Sequence, residues 1–253
     1  MKQIRPQIPK FDTVNIYPLY DVHMGERIAE NVLKEWRREV LSQPNNYVIL
    51  GGDLLNMALK NSKSDVYGER YSPGEQLDRM VEFLLPIKDR ILGAVPGNHE
   101  ARMTRDTSID PTLLVMQLLG LKHRYSPTTS VVWLKVGKGE RQIPYTIYFY
   151  HGSGGGSTVG GKLNGVAKLE QSFDSDVYVS GHTHISGTFR QQFVRRDDRH
   201  AKTTMVEHVF VNSNDFVLWH ESYGEGMGFR PTSKAYPRIT LFGYKRRIQV
   251  TTG

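Results

Sequence analysis

The 253-residue sequence predicts a layered α/β sandwich, and two observations carry this prediction. In the first half of the chain, short apolar strands alternate with amphipathic helices, which is typical of parallel βαβ units. In the second half, apolar strands follow one another across Gly-containing turns, which is typical of antiparallel hairpins. Parallel units followed by hairpins indicate sheets covered by helices. We expect one domain that spans residues 1–253.

Residues 1–12 contain two prolines, which indicate an extended N-terminal arm. A strand is predicted at residues 14–20, where Pro18 favours a bulge or an early exit because proline cannot donate a ladder hydrogen bond. A helix is predicted over residues 27–41, since apolar side chains recur there with helical spacing. This apolar face consists of Ile28, Val32, Trp36 and Val40.

A short apolar strand at residues 47–50 precedes a second helix with a well-marked start. Ser72 is a capping residue, Pro73 suits the first turn, and Glu75 has capping-box spacing. Pro86 is expected to end this helix. Its buried face is predicted to consist of Leu77, Met80, Val81, Leu84 and Leu85.

The remaining elements follow from the same patterns of apolar residues and turn signals. They are a strand at 91–95, a helix at 110–120, a hairpin of 130–136 with 143–150, a helix at 162–172, a strand at 176–180, a hairpin tip at 195–200 and a last strand at 239–250.

Composition excludes several classes of protein. No apolar run approaches the ~20 residues of a membrane helix, and the N-terminus lacks the apolar core of a signal peptide. The sequence has no cysteine, so disulfides and thiolate metal ligands are excluded. We therefore expect a cytoplasmic protein without membrane contacts.

The net charge of +7 favours a polyanionic partner such as DNA or RNA, although dispersed Lys and Arg also serve solubility.

Five short polar segments each follow an apolar, strand-like run. They are Asp21-Val22-His23, Gly52-Asp53-Leu54-Leu55-Asn56, Gly97-Asn98-His99-Glu100, His151-Gly152 and Gly181-His182-Thr183-His184. Sites in α/β sheets lie beyond the carboxyl ends of the strands, so these segments are expected to meet. Residues two apart in an extended segment point the same way, so Asp21 and His23 are expected to bind one ion together. Each segment alone is a weak signal, but together they contain five of the chain's nine histidines.

The order of these segments resembles the calcineurin-like metallophosphoesterase superfamily, over residues 21–184. The resemblance implies a four-layer fold, in which two mixed β-sheets are flanked by helices and two metal ions lie at the strand ends. It also implies the role of each matching residue. Asp21, His23 and His184 would bind one metal, Asn98, His151 and His182 the other, and Asp53 both, while His99 would protonate the leaving oxygen or bind phosphate, and Asn56 would orient the bridging residue or a neighbouring loop.

The residue types agree with this chemistry. Four histidines, two aspartates and one asparagine suit Mn, Fe, Co, Ni or Zn better than Ca or Mg, and we favour manganese. Two such ions can clamp the attacking and leaving oxygens of an in-line displacement, with metal-activated water as the nucleophile. The sequence therefore predicts metal-dependent hydrolysis of a phosphoester.

The second segment bears on the substrate. Protein phosphatases of this superfamily carry an arginine soon after the segment's aspartate, whereas Leu55, Asn56, Met57 and Ala58 follow here. This departure favours the phosphodiesterase and nuclease branch, with nucleic acid or nucleotides as substrates. A broad phosphomonoesterase, acting on nucleotides or phosphoproteins, is the alternative. A non-catalytic, nucleic-acid-associated subunit is disfavoured because every ligand position is filled. Arg102, just past the third segment, would bind phosphate or pair with a local carboxylate.

Overall fold

A computed structural model describes residues 1–60, 66–156, 158–220, 223–226, 228 and 230–253. Within these residues the strands form two mixed sheets, which confirms the predicted fold class. The six-stranded sheet has the spatial order β1 (Lys2–Ile4), β5 (Ser130–Val136), β6 (Ile143–Phe149), β7 (Val177–Ser180), β9 (Lys202–Asn212) and β8 (Gly187–Asp197). The five-stranded sheet has the order β11 (Ile248–Thr252), β10 (Pro237–Phe242), β2 (Thr13–Leu19), β3 (Asn46–Leu50) and β4 (Ile91–Ala94).

The described residues also form helices. They are α1 (Glu30–Ser42), α2 (Pro73–Leu84), α3 (Asn98–Thr107), α4 (Pro111–Leu118), α5 (Val159–Ala167) and α6 (Tyr223–Gly226). Short 3-10 turns follow at Leu85–Arg90, Lys122–Arg124 and Lys168–Gln171.

The main core lies between the two sheets. Ile16 and Ile49 of the five-stranded sheet pack in one buried cluster with Ile147, Val179 and Val209 of the six-stranded sheet. Alternate residues of a strand point to opposite faces, so the same strands also offer apolar side chains to the helices outside. The sandwich therefore has a core on each face of each sheet.

Two outer cores complete the four layers. Trp36 of α1 and Met80 of α2 are fully buried in a cluster with Val48 and Leu50 of β3. On the opposite side, Val166 of α5 packs in a cluster with aromatic side chains of the six-stranded sheet. Helix, sheet, sheet and helix thus follow one another, as the sequence resemblance implied.

The start of α2 agrees with its sequence signals, and its buried face differs in part. Ser72 accepts from the backbone N–H of Glu75 (3.4 Å), and the Glu75 carboxylate accepts from the Ser72 N–H (2.8 Å). Phe83 is buried, whereas Leu85 is 49% exposed. The helix gives way to a 3-10 turn at Leu85, and the change in winding rotates Leu85 away from the predicted face.

Three further expectations need correction. Pro18 lies inside β2 and is paired with β3; the pairing of β2 with β10 ends at Ile16, so the missing N–H interrupts nothing on that side. Helix α1 begins at Glu30, and Ile28 instead forms an isolated bridge with Val217. The single strand predicted at 239–250 is the antiparallel pair of β10 and β11.

No helix in the described part of the chain is long and apolar enough to cross a membrane.

Parallel pairing brings the carboxyl ends of six strands to one edge of the sandwich. In one sheet β2, β3 and β4 run in parallel, and in the other β6, β7 and β9 do. Just beyond β2, the Tyr20 hydroxyl donates to the carbonyl of Val179 (3.3 Å) and so ties the two sheets together at this edge. The five polar segments emerge here.

Candidate metal centre

The seven predicted ligands converge at this edge, in two groups that share Asp53. Three sets of side chains bring their donor atoms within 4.8 Å of one another, which is close enough to hold metal ions. They are Asp21, His23 and His184; Asp53, His151 and His182; and His23, Asp53 and His99.

The first group has the spacing of a coordination sphere. His184 Nε2 lies 3.2 Å from His23 Nε2 and 3.4 Å from Asp21 Oδ1. His23 Nε2 is 3.8 Å from Asp21 Oδ1 and 3.9 Å from Asp53 Oδ2. Ligands bound at about 2.1 Å to one ion lie about 3.0–3.4 Å apart, so modest movements would close this group around a metal.

The second group is tighter. His151 Nε2 lies 3.0 Å from Asn98 Oδ1 and 3.2 Å from Asp53 Oδ2. His182 completes the group, with its ring centre 5.2 Å from that of His151. Because Asp53 Oδ2 faces both His151 and His23, this carboxylate stands between the two groups.

The backbone at five of the seven predicted ligands is left-handed rather than extended. Asp21, His23, Asp53, His182 and His184 all have positive φ angles, between 48° and 68°. The expectation that extended geometry aligns Asp21 with His23 is therefore wrong, although the two side chains do meet. Non-glycine residues in this region cost about 1–2 kcal/mol each, and such strain concentrates at functional sites.

Backbone N–H groups orient the two carboxylates. The N–H of His182 donates to Asp21 Oδ2 (2.8 Å), and the N–H of His99 donates to Asp53 Oδ1 (2.8 Å). In each case the second oxygen is left to face the histidines. Among the described residues, Asp21 Oδ1 is buried and accepts no hydrogen bond. Such an orphaned carboxylate oxygen fits a metal ligand.

The hydrogen bonds of His151 show whether its surroundings fit a cation. His151 Nδ1 donates to the Gly51 carbonyl (2.9 Å), so in a neutral ring Nε2 is an acceptor. Asn98 Oδ1 and Asp53 Oδ2, both acceptors, lie within 3.2 Å of this Nε2. Three converging acceptors require a proton or a metal ion among them, so the donor set fits a metal.

Without metal, protons take that place. Burial acts to lower the pKa of His151, but the charge of Asp53 outweighs it and raises the pKa to about 10. Burial is likewise outweighed at His23, where hydrogen bonding to Asp21 and the charge of Asp53 raise the pKa to about 9. Burial raises the pKa of Asp53, but the charge of His151 prevails and holds it well below its ordinary value.

These shifts predict how the stability of the metal-free protein varies with pH. The folded-state pKa values of His23 and His151 lie above the ordinary 6.5. Their contribution is therefore fully present below pH 6.5 and is lost as the pH rises to about 9–10. We expect the urea midpoint of the chelator-treated protein to fall across this window.

Metal should reverse that trend, because it binds deprotonated histidine. The stabilisation by added Mn²⁺ is expected to grow as the pH rises, and His151→Gln should flatten the metal-free decline. A metal-free midpoint that stays constant between pH 6.5 and about 10 would contradict this assignment of charges.

Glycines beside the ligands allow close approach. A Cβ on Gly97 would lie 2.1 Å from Asp53 Oδ1, and one on Gly181 would lie 2.4 Å from Asp21 Oδ2. Gly97→Ala is therefore expected to displace the Asp53 carboxylate, to weaken Mn²⁺ binding and to reduce stability by about 1–3 kcal/mol. Calorimetric titration with Mn²⁺ and urea denaturation measure the two effects.

Gly160→Ala is the matched control, because a Cβ there meets nothing within 4 Å. Wild-type Mn²⁺ affinity in Gly97→Ala would mean that Asp53 does not have to occupy its observed position.

Asn56 orients a histidine rather than the bridging aspartate. Its Oδ1 lies 3.3 Å from His23 Nδ1, and its Nδ2 donates to Glu69 (2.8 Å) and Glu26 (3.2 Å). The two carboxylates fix the orientation of the amide, so Oδ1 must accept from His23. Nε2 of His23 is thereby aimed at the cluster. Of the two expected roles of Asn56, these contacts match the orienting of a neighbouring loop, the one that carries His23 and Glu26.

His99 lies at the rim of the cluster. Its Nδ1 donates to the Asn56 carbonyl (2.8 Å), and its Nε2 is 3.9 Å from Asp53 Oδ2. Burial lowers its pKa to about 4, against the opposing charge of Asp53.

Arg102 follows one turn later and donates to the carbonyls of Asn56 (3.2 Å) and Met57 (3.3 Å). Its Nη2 also lies 3.3 Å from His99 Nδ1, and a role in phosphate binding stays a prediction.

Three residues that build this centre were given no role from the sequence. Glu100 is buried and accepts from the N–H groups of Asp53 (2.9 Å), Gly97 (2.9 Å) and Leu55 (3.1 Å), which joins two of the loops. Asn212 braces the His182–His184 loop through Thr183 Oγ1 (3.0 Å) and the Ile185 carbonyl (2.7 Å). Asp215 Oδ2 lies 3.5 Å from His184 Nδ1.

A signal for the last two was present in the sequence. Residues 212–215 read Asn-Ser-Asn-Asp directly after the apolar run of β9, which is the same context as the five recognised segments. The run matches none of their motifs, so the sequence alone assigns it no role in the metal site.

Comparison with known proteins gives similarities to solved structures but no family. No family model matches the chain, and no curated protein matches it. Among solved structures, the chain is similar to YfcE, a phosphoesterase from E. coli, with 16% sequence identity and a TM-score of 0.44. The alignment covers 94% of this chain and 98% of that one. These results assign no family, so the chemistry must be inferred from the chain's own residues.

Proposed function

We propose that this chain is a metallophosphoesterase that binds two divalent metal ions and hydrolyses phosphodiesters. One observation carries the proposal: two oxygen atoms, Asp53 Oδ2 and Asn98 Oδ1, lie within 3.2 Å of His151 Nε2, beside a second group that shares Asp53. Manganese is our choice of metal, with Fe, Zn, Co and Ni as alternatives for this mixture of nitrogen and oxygen donors.

The proposed division of labour follows the two groups. Asp21, His23 and His184 would hold one ion, and Asn98, His151 and His182 the other, with Asp53 common to both. When bound, the ions supply activation of a water molecule for attack at phosphorus and stabilisation of the developing negative charge. The protein's part is to aim the ligand atoms at the ions, through the partners described above.

His99 is proposed as the proton donor to the leaving oxygen. Its Nδ1 is fixed by the Asn56 carbonyl, so Nε2 is the atom that faces the cluster. Burial keeps the free ring neutral at pH 7 by lowering its pKa to about 4. The negative charge of a bound phosphate raises the pKa of an adjacent histidine, which this role requires.

Exposure and charge favour a large anionic substrate. The side chain of His184 is 35% exposed and Asn98 is exposed, whereas Asp21 and Asp53 are buried, so the cluster opens to solvent on one side. Together with the net charge of +7, this favours phosphodiesters of nucleic acid or nucleotides. A cytoplasmic setting is part of the same proposal and rests on the cysteine-free composition.

A hydrolysis panel with added Mn²⁺ tests the proposal. The substrates are a phosphomonoester, a bis-aryl phosphodiester, cyclic nucleotides, and single- and double-stranded DNA, with Asp53→Asn purified in parallel to reveal contaminating activity. We expect cleavage of the phosphodiesters by the wild type only. Activity on the monoester alone would replace the phosphodiesterase assignment by the broad phosphomonoesterase. Inactivity with every divalent metal would refute the enzyme and favour a binding subunit.

A further inference from the structure

A segment outside the five motifs reaches the centre from the end of β9. Its backbone is tied to the site loops, because Ser213 N–H donates to the Ser180 carbonyl (2.6 Å) and Phe216 N–H donates to the Asp21 carbonyl (3.0 Å). Asp215 lies between these two anchors and is 5% exposed. Its carboxylate is therefore held next to the metal-site loops rather than in solvent.

Asp215 faces the one ring nitrogen of His184 that points away from the cluster. His184 Nε2 is directed at His23 and Asp21, and its Nδ1 lies 3.5 Å from Asp215 Oδ2. His23 and His151 have the same arrangement, with their Nδ1 atoms facing Asn56 Oδ1 and the Gly51 carbonyl. Asp215 is thus the acceptor that faces Nδ1 of His184, as Asn56 and Gly51 are the acceptors that face Nδ1 of the two buried histidines.

The Asp215 carboxylate is itself fixed from the C-terminal side. Lys234 Nζ donates to both oxygens (2.8 and 3.0 Å), and Thr232 Oγ1 donates to Oδ1 (3.0 Å). These bonds restrict the carboxylate to one orientation, with Oδ2 toward His184. Residues 232–234 are in this way coupled to the cluster through a single side chain.

His184 has particular need of such a partner. Its side chain is 35% exposed, compared with 5% for His23 and 3% for His151, so surrounding atoms restrain its ring less than they restrain those two. A carboxylate on the second ring nitrogen fixes the tautomer and orientation of a metal-binding histidine and makes it more basic.

We propose that Asp215 is a positioning residue, which holds the His184 ring with Nε2 toward the first metal position and is itself held by Lys234 and Thr232. The inference rests on the proposed function, since it concerns a ligand of the proposed centre. Its specific consequence is that Asp215 affects one of the two metal positions.

The test compares Mn²⁺ binding by the wild type and by Asp215→Asn, using calorimetric titration and the visible spectrum of the Co²⁺-loaded proteins. Asparagine keeps the size and one acceptor oxygen but removes the charge. We expect one site to weaken about 10–100-fold and the other to keep its affinity. The Co²⁺ spectrum should change. The metal-free protein should stay folded, with a lower melting temperature because the buried Asp215–Lys234 ion pair loses one charge.

Asp197→Asn is the matched control. Asp197 Oδ2 pairs with His200 Nδ1 at 2.9 Å, so the same substitution breaks an Asp–His pair that lies at the β8–β9 hairpin tip. This variant is expected to bind both ions like the wild type.

Three outcomes separate the possibilities. Wild-type affinity at both sites in Asp215→Asn overturns the positioning role. Unfolding, or an equal loss at both sites, also overturns it, because Asp215 would then serve the general structure. A wild type that binds no Mn²⁺ instead refutes the proposed function on which the inference rests.

Discussion

Asp53→Asn is expected to abolish metal-dependent hydrolysis while the protein stays folded. Asp53 Oδ2 is the atom that both groups share, 3.2 Å from His151 Nε2 and 3.9 Å from His23 Nε2. The amide either turns an N–H toward these rings or offers a neutral oxygen, and neither replaces a bridging carboxylate. Loss of metal stabilisation of the transition state amounts to several kcal/mol, and about 4 kcal/mol corresponds to about 10³-fold in kcat/KM.

The measurement is kcat/KM on a phosphodiester, with bound metal counted in the same preparations. Metal content should fall as well, because the charge that attracts both ions is reduced. Asp197→Asn is the control: it removes one negative charge by the same substitution at the β8–β9 hairpin tip, away from the cluster. Hydrolysis by Asp53→Asn within tenfold of the wild type would remove Asp53 from the mechanism.

His99→Ala is expected to lower kcat about 10²–10⁴-fold and to leave the metal content unchanged, as befits a residue that transfers a proton. Distance alone does not distinguish a proton donor from a metal ligand here. His99 Nε2 is as close to Asp53 Oδ2 as His23 Nε2 is, at 3.9 Å. Its ring is also packed edge-on against that of His23, with centres 4.6 Å apart.

Counting bound Mn²⁺ in His99→Ala decides between the two roles. Retention of metal with low kcat fits the proton donor, whereas loss of an ion makes His99 a ligand and contradicts the assignment. His200→Ala is a suitable control, since that side chain is exposed at the hairpin tip.

The sequence predicted the layers and most elements because both depend on local patterns. Strand ends marked by Asp, Asn and His segments located the site, and the capping box at Ser72 located a helix start. Local patterns do not predict features of the structure that depend on contacts between residues far apart in the sequence. Pro18 is tolerated in β2 only because β10 stops pairing at Ile16, which no short window of sequence reveals.

The same limit explains what was missed in the site. The left-handed backbone of Asp21 and His23 is maintained by pairing with the next loop, since the His23 N–H donates to the Asp53 carbonyl (2.9 Å). Glu100 accepts from N–H groups on a loop 45 to 47 residues away along the chain. Asp215 is paired with a histidine 31 positions earlier, a relation that appears only once β7 and β9 are adjacent.

The count of Mn²⁺ ions bound by the wild-type chain, measured by titration alongside phosphodiester hydrolysis, tests the central claim most directly. We predict two ions per chain, release of protons on binding at neutral pH, and hydrolysis that chelation abolishes and Mn²⁺ restores. Binding of no metal, or hydrolysis that survives complete chelation, would contradict the account of this centre.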